Sequence, residues 1–174
     1  EDQRFASQRP DVAVFMTDTL KEDMRLSGPV KASLFVSTTG TDADFIVKLI
    51  DVLPENTPNP SPNPRQWQMG GMQRLVRAEV LRGKFRNSFE KPEPFQPGKP
   101  VKLEIEIPDV AHLFKKGHRV MVQIQSSWFP LVDRNPQTFM RIPEATEKDF
   151  RKADIRIYHE PGKASAVILP VMPQ

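Results

Sequence analysis

The amino-acid sequence predicts an all-β protein, an antiparallel β-sandwich with at most one or two short helices. Three observations support this fold class. Short runs alternate between apolar and polar residues with a period of two, which is the pattern of half-buried strands. Turn residues separate these runs. The 174 residues include 18 Pro and only 8 Gly, a composition that favours short strands joined by rigid loops over long helices.

Eight segments carry the strand pattern. They span residues 11–17, 30–37, 45–53, 73–82, 101–107, 120–125, 155–159 and 165–171. A polar segment at 20–26 is predicted as a ninth, edge strand, which Ser27, Gly28 and Pro29 should close. Eight or nine short strands with turn signals between them and almost no helix predict a jelly roll.

The early strands differ in how far they should be covered. Residues 30–37 place apolar side chains on one face and mostly polar ones on the other, so this strand should be half-buried. Residues 45–53 are apolar on both faces except at Lys48 and Asp51, which predicts a central strand covered on both sides. The five Pro of 54–65 give the next loop polyproline character. This loop resembles a linker between domains, but the strands beside it look like neighbours in one core. We therefore expect an excursion within the domain.

The strand at 73–82 has two candidate inward faces. Its even-numbered residues make the cleaner apolar face, so we expect them to point to the core. Basic residues cluster in and just after this strand: Arg74, Arg77, Arg82, Lys84 and Arg86. A solvated face paired with acidic residues is favoured over an anion or nucleic-acid site, since no Tyr or Trp is interleaved for base stacking.

Little helix is expected towards the C-terminus. Residues 109–116 are too few for more than one helical turn before the next strand. Thr146, with Asp149 three residues later, resembles a capping box with Asp in place of Glu. A short helix through Lys152 is therefore predicted.

Composition excludes several classes of function. The length suits a single domain over residues 1–174 that can bury a sizeable core. The net charge of +3 is mild and acidic residues are interleaved, so no nucleic-acid partner is predicted. No apolar run approaches a membrane span in length, so no membrane partner is predicted either.

The chain begins at Glu1 rather than Met, and we expect it to be a piece of a longer protein.

The sequence shows no residues in a pattern typical of nucleophilic catalysis. The chain has no Cys, which excludes a thiol nucleophile, a disulfide and a thiolate metal site. No Gly-x-Ser-x-Gly motif occurs. Ser126 and Ser127 end a strand without a glycine to permit a strained turn, so we interpret them as sheet or loop hydroxyls. No pair of carboxylates stands out for glycosidase chemistry.

Metal and cofactor sites are also not indicated. None of the three His has a His partner four residues away, as a helical zinc site would have. His112 and His118 flank a turn and are predicted to orient it by hydrogen bonds. Asp42 and Asp44 could offer oxygens to calcium, although Asx turns explain the two carboxylates equally well. No cofactor is predicted.

The segment that follows strand 120–125 changes from a regular core pattern to an aromatic and charged corner. We predict a docking surface for another domain here, made of Trp128, Phe129, Asp133, Arg134 and Asn135. The alternative is that Asp133 and Arg134 simply pair and hold a loop. Aromatic and Arg residues dominate interface energetics, which favours the docking interpretation.

Five stretches resemble a known family, in the order in which the family has them. They are residues 42–52, 75–82, 97–100, 111–119 and 126–136. Together they resemble the C-terminal domain of the X-Pro dipeptidyl-peptidase, cocaine esterase and glutaryl-cephalosporin acylase family of serine hydrolases. The resemblance covers nearly the whole chain. It implies a galactose-binding-like jelly roll that follows an α/β-hydrolase domain, bearing Ser, Asp and His, and a helical cap.

The resemblance carries over no catalytic residue, because the catalytic motifs of the family have no matching positions in this chain. The leading hypothesis is therefore a non-catalytic domain. It would pack on the α/β-hydrolase domain and helical cap of the same parent chain and help to shape their substrate cleft. The implied parent is a peptidase, esterase or acylase that cleaves amide or ester bonds through an acyl-enzyme.

Two hypotheses of other classes compete with this one. A carbohydrate-binding module of a sugar-active enzyme would need an exposed aromatic platform, and only Trp67 is spare for it. A free-standing enzyme is disfavoured by the missing nucleophile. An exposed edge strand could also pair two copies into a homo-oligomer, although no residue demands it.

Overall fold

The part of the chain that the structure describes forms nine strands and very little helix. The computed structural model describes residues 2–173. Within that range the strands are β1 (Val12–Met16), β2 (Met24–Thr38), β3 (Asp44–Val52), β4 (Gln73–Arg82), β5 (Val101–Phe114), β6 (Arg119–Gln125), β7 (Ile155–Glu160), β8 (Lys163–Ala164) and β9 (Ala166–Ile168). Among residues 2–173, helical structure is limited to α1 (Arg4–Ser7) and single 3-10 turns at Gly83–Phe85, Ile142–Glu144 and Glu147–Asp149. The prediction of an all-β protein with almost no helix is confirmed.

Two antiparallel sheets form the sandwich. One sheet has the strand order β1-β6-β3-β4, and the other has the order β5-β2-β7-β8, with β9 also paired to β2. The pairings between named strands in the described range are antiparallel. The predicted sandwich is confirmed, while the finer likeness to galactose-binding domains stays a prediction.

Strand β3 is buried on both faces. Its inward side chains Phe45, Val47 and Leu49 belong to the core between the sheets. Its outward face is covered by the N-terminal segment around α1, where Gln3 contacts Lys48 and Ala6 is buried. The prediction of a central strand covered on both sides is confirmed. Lys48 and Asp51, the two polar exceptions in its pattern, are themselves buried.

Strand β2 is longer than predicted. The residues expected to close a separate edge strand, Ser27, Gly28 and Pro29, lie inside β2. The pairing with β5 shifts register between Gly28 and Val30, and Gly28 has φ +124°. A glycine adopts that angle without steric cost, so the turn-like sequence produces a β-bulge and the strand continues.

Strand β5 also runs further than expected. The segment predicted as at most one helical turn, 109–116, continues β5 as far as Phe114. Because β2 begins at Met24, its backbone groups reach this segment, and Met24 pairs with Phe114. The backbone hydrogen bonds between β2 and β5 satisfy the N–H and C=O groups of this segment, which a helical turn would otherwise have paired.

The capping box at Thr146 is confirmed, but the helix after it is shorter than predicted. Asp149 accepts hydrogen bonds from the backbone N and the hydroxyl of Thr146, at 2.8 and 2.7 Å. Only the 3-10 turn Glu147–Asp149 follows, and it does not reach Lys152. The N–H of Arg151 donates to the carbonyl of Pro136, which draws the chain away from a helical path.

The Pro-rich segment 54–65 contains no strand or helix. The strands on either side of it, β3 and β4, pair from Asp44↔Arg82 to Val52↔Gln73. The expectation that the even-numbered residues of β4 face the core is only partly met. A register shift occurs opposite Leu49 and Ile50, so Val76 and the odd-numbered Leu81 both pack against the core.

Candidate docking surface

Trp128 lies against the outer face of the sheet rather than in the core between the sheets. Its ring centroid is 4.4 Å from Nζ of Lys48, whose side chain points away from the inter-sheet core. Trp128 is half-buried and does not belong to the main core cluster. The ring is therefore held by a cation–π contact on the outside of β3.

Lys48 is a buried cation with few partners. It is 0% exposed, and its ammonium donates to Oε1 of Gln3 at 2.8 Å. Within residues 2–173 it has no carboxylate partner. Burial lowers the pKa of Lys48 to about 8, and the positive charge of Arg9 adds to the effect. The hydrogen bond to Gln3 and the electron-rich face of Trp128 are the compensations that the described residues offer this charge.

The tip of the loop presents large apolar side chains to solvent. Phe129 is 67% exposed and Leu131 is 70% exposed. A hydrogen bond of 3.0 Å from the N–H of Val132 to the carbonyl of Trp128 closes the turn that carries them. Sequence reasoning missed Leu131, although its apolar side chain beside Pro130 gave the same signal as Phe129. Exposed apolar side chains that lie next to each other are typical of a surface that contacts a partner.

Asp133 and Arg134 do not pair with each other. Asp133 accepts a hydrogen bond of 2.6 Å from Nη2 of Arg82, and this bond holds the pKa of Asp133 below its usual value. The guanidinium of Arg134 lies 4.9 Å from the ring centroid of Phe150. In the described part of the chain Arg134 has no carboxylate partner. The alternative in which the two residues pair to hold the loop is therefore wrong.

Asn135 was predicted at the rim of the docking surface, but its side chain points inward. It is only 6% exposed. Its Nδ2 donates to Oδ1 of Asp44 at 2.9 Å, and its Oδ1 accepts from the N–H of Gln137 at 2.8 Å. Burial raises the pKa of Asp44 to about 6, which the hydrogen bond from Asn135 partly offsets. Asn135 thus satisfies a buried carboxyl group and is not available to a partner.

The two carboxylates considered for calcium are neutralised by basic residues. Oδ2 of Asp42 lies 3.5 Å from Nζ of Lys84, and Oδ2 of Asp44 lies 3.6 Å from Nη1 of Arg82. Among residues 2–173, no group of three or more acidic or histidine side chains could hold a metal ion. For Arg82, Lys84 and Arg86, pairing with acidic residues is confirmed. The basic cluster is thus mainly structural.

His112 and His118 share a buried carboxylate. Asp51 is 1% exposed, with Oδ2 3.0 Å from Nε2 of His112 and Oδ1 2.7 Å from Nδ1 of His118. Burial alone would raise the pKa of Asp51, but the hydrogen bonds to both histidines outweigh it and lower that pKa. The predicted hydrogen-bonding role is confirmed, and it ties the turn between β5 and β6 to the end of β3.

Neither serine of the corner is placed for nucleophilic attack. The carbonyl of Ser127 accepts a hydrogen bond of 2.7 Å from Nε2 of Gln125. The buried hydroxyl of Ser126 has no hydrogen-bond partner among the described residues. Both histidines near a carboxylate are committed to Asp51 instead. A nucleophile needs a base within hydrogen-bond reach, so this arrangement does not activate a serine.

Trp67, the aromatic platform considered for sugar binding, is 43% exposed. The guanidinium of Arg65 lies 5.6 Å from its ring centroid. Asn63 holds the backbone of Trp67 with hydrogen bonds of 2.8 and 2.9 Å.

In residues 2–173, none of the helices is long and apolar enough to cross a membrane.

Comparison with known proteins gives consistent matches over nearly the whole chain. The profile of the family described as "X-Pro dipeptidyl-peptidase C-terminal non-catalytic domain" matches residues 2–168. A cocaine esterase from Rhodococcus sp. (strain MB1 Bresler) is 30% identical over 171 residues, which are 98% of this chain and 27% of the esterase.

Two solved structures are also closely similar. One is an aminopeptidase from a marine sediment archaeon, Thaumarchaeota archaeon, with 42% identity, a TM-score of 0.92, and coverage of 99% of this chain and 28% of that chain. The other is an α-amino acid ester hydrolase, with 43% identity, a TM-score of 0.91, and coverage of 99% and 27%. The chain thus spans little more than a quarter of the length of each relative.

Proposed function

The chain belongs to the family of X-Pro dipeptidyl-peptidase C-terminal non-catalytic domains, and we propose that it is the accessory domain of a larger serine acyl hydrolase. In this proposal residues 1–174 form one domain. It packs on an α/β-hydrolase catalytic domain and its helical cap and helps to shape their substrate cleft. The domain itself supplies no nucleophile.

The apolar loop tip is the observation that carries the docking part of the proposal. Phe129 and Leu131 are both at least two-thirds exposed and lie beside the half-buried Trp128. A monomeric domain gains nothing by exposing such side chains together, whereas burying them against a partner is favourable by about 25 cal/mol per Å². Asp133 and Arg134 supply polar groups at the rim. Leu131 replaces Asn135 in the set predicted from sequence.

The names of the relatives support the proposed class of parent. A cocaine esterase, an aminopeptidase and an amino acid ester hydrolase all cleave acyl compounds, at ester or amide bonds. An acyl-enzyme route at a serine serves both kinds of bond. The comparisons give no support to the alternative of a carbohydrate-binding module. Assembly into a homo-oligomer stays a prediction.

The proposal is tested by comparing the full-length parent with the 174-residue chain. A serine-directed fluorophosphonate probe should label the parent and leave the chain unlabelled. The parent should also turn over at least one of a p-nitrophenyl ester, an X-Pro anilide and a glutaryl amide. Turnover by the chain alone, above a heat-denatured control and retained through purification, would contradict its non-catalytic role. A parent that is neither labelled nor active would contradict the proposed class.

A further inference from the structure

The sandwich is open along the edge formed by β1, and a cavity of about 360 Å³ lies between the two sheets there. Within the described residues, β1 pairs only with β6. Phe15 lies opposite Val122 in that pairing, on the face that turns its side chains to the core. Despite this inward position, Phe15 is 43% exposed. The opposing sheet therefore leaves the inner face of β1 partly uncovered.

The walls of the cavity are almost wholly apolar. The sheet of β1 and β6 supplies Phe15, Val122 and Ile124, and the other sheet supplies Ile157 and Val167. The volume lies at the small end of the range of about 300–1,000 Å³ for small-molecule sites. Packed sheets lie about 10 Å apart, so a ligand between them has room for one layer of apolar groups. A single aliphatic chain meets both conditions.

Three polar side chains also line the cavity, and two of them are already satisfied within the fold. Oγ1 of Thr17 donates to the carbonyl of Asp18 at 2.8 Å and accepts from the N–H of Val120 at 3.1 Å. Oγ of Ser165 accepts from the N–H of Phe35 at 2.9 Å. These hydroxyls therefore leave little hydrogen-bonding capacity for a ligand.

His159 is the third polar side chain, and it is available to a ligand. It follows Ile155 and Ile157 at a spacing of two along β7, so it lies on the same inner face, exposed at the mouth of the cavity. Its ring has no hydrogen-bond or ionic partner among the described residues. The neighbouring charge of Glu160 is compensated by Lys163 at 3.0 Å. An imidazole N–H can therefore donate to an acceptor at the end of an apolar ligand.

We propose that this cavity binds a medium-length aliphatic carboxylate, with its chain between the sheets and its carboxylate on His159. The chain gains affinity in proportion to the apolar area that it removes from water. A charge-assisted hydrogen bond at the mouth fixes the orientation of the head group. The cavity includes none of residues 126–137, so the site is separate from the docking surface and does not rest on the proposed function.

The test titrates hexanoate, octanoate and octylammonium, each below its micellar concentration, into the chain with ¹³C-labelled methyl groups at pH 7. Octanoate should shift the methyl signals of Val122, Ile157 and Val167. It should bind about fifteenfold more tightly than hexanoate, since each buried methylene is worth about fourfold in Kd. Octylammonium has the same chain with a head group that cannot accept a hydrogen bond, and it should bind about fivefold more weakly than octanoate.

Two variants and a matched control locate the site. Val122→Phe fills the cavity and should abolish octanoate binding. Val14→Phe, the same change on the outer face of the neighbouring strand β1, should bind octanoate as the unaltered chain does. His159→Phe keeps a ring at the mouth without its N–H and should weaken octanoate binding about fivefold. If Val122→Phe does not fold, His159→Phe and the comparison of chain lengths still decide the proposal.

Each contrary outcome overturns a stated part of the proposal. No methyl shifts at about 10 mM octanoate, or shifts confined to other regions, would overturn the site. Equal affinities for hexanoate and octanoate would overturn burial of the chain, and equal binding of octylammonium would overturn the carboxylate contact. The full-length parent should bind octanoate as the chain does, and a parent that does not bind it covers the cavity with another part, which would overturn the site in the intact protein. Hydrolase activity enters none of these measurements, so they stand apart from the test of the proposed function.

Discussion

Replacing Lys48 by Met should stabilise the domain at pH 7. Lys48 is fully buried, and its pKa falls from 10.5 to about 8. That difference corresponds to roughly 3 kcal/mol in the free energy of ionisation, as an upper bound on the cost of the buried charge. The hydrogen bond to Gln3 and the contact with Trp128 each offset about 1 kcal/mol. Met keeps the apolar stem, so the free energy of unfolding should rise by about 1 kcal/mol.

The lowered pKa of Lys48 also predicts how the stability gained by the substitution changes with pH. The pKa of Lys48 is lower in the folded state than in the unfolded chain. Between about pH 8 and 10.5 the unfolded chain binds more protons, so the free energy of unfolding rises with pH in that window. The Lys48→Met variant lacks this rise. Its advantage at pH 7 should therefore shrink above pH 8.

Urea denaturation followed by tryptophan fluorescence at pH 7, 8, 9 and 10 measures this difference. Lys115→Met, at an exposed lysine, is the matched control and should change stability by less than about 0.5 kcal/mol at every pH. If Lys48→Met loses 1 kcal/mol or more at pH 7, the ammonium is a net stabiliser through Gln3 and Trp128. That result, or a parallel pH dependence in both proteins, would refute the reasoning.

Two further predictions concern the buried carboxylate and the docking aromatic. Asp51→Asn removes the charge that both histidines contact and should lower the free energy of unfolding by about 2–3 kcal/mol at pH 7. The pKa of Asp51 is lowered in the folded state, so this loss should shrink as urea denaturation is repeated towards pH 3, and a constant loss would contradict the assignment. In a Trp67→Phe variant, iodide should quench Trp128 to an intermediate degree, whereas full protection would contradict its half-buried position.

The strands could be read from the sequence because their signal is local. The limits of β4 match the predicted 73–82, since alternation and turn residues mark both ends. Local signals also caused the errors. Gly28 and Pro29 look like a turn, but whether they end a strand or bulge within it depends on the distant partner β5.

The site was less accessible to sequence reasoning because its contacts join distant segments. Asp51 meets His112 and His118 across 61 and 67 residues. Nothing in the alternation of β3 indicates those partners. Asn135 looked like a surface residue because it follows two charged residues, yet the fold places it on the buried Asp44. The aromatic corner was recognised because large apolar residues outside a strand pattern are unusual in a solvated loop.

In the proposed function, the loop tip of Phe129 and Leu131 docks this domain on the rest of its parent. Phe129→Asp combined with Leu131→Asp places two charges where the proposed contact is buried. Truncating a buried anchor typically costs about 2 kcal/mol or more of association, and a buried unpaired charge costs more. Phe89→Asp, at a phenylalanine that is 85% exposed elsewhere on the domain, is the matched control.

The direct measurement is limited proteolysis of the full-length parent, with release of the intact C-terminal domain followed over time. The double variant should release the domain at least tenfold faster than the unaltered parent and should lose hydrolase activity. In the isolated 174-residue chain its free energy of unfolding should be unchanged within about 0.5 kcal/mol, because both side chains are exposed there. The Phe89→Asp control should behave as the unaltered parent. Equal release rates for the double variant and the control would contradict docking through this surface.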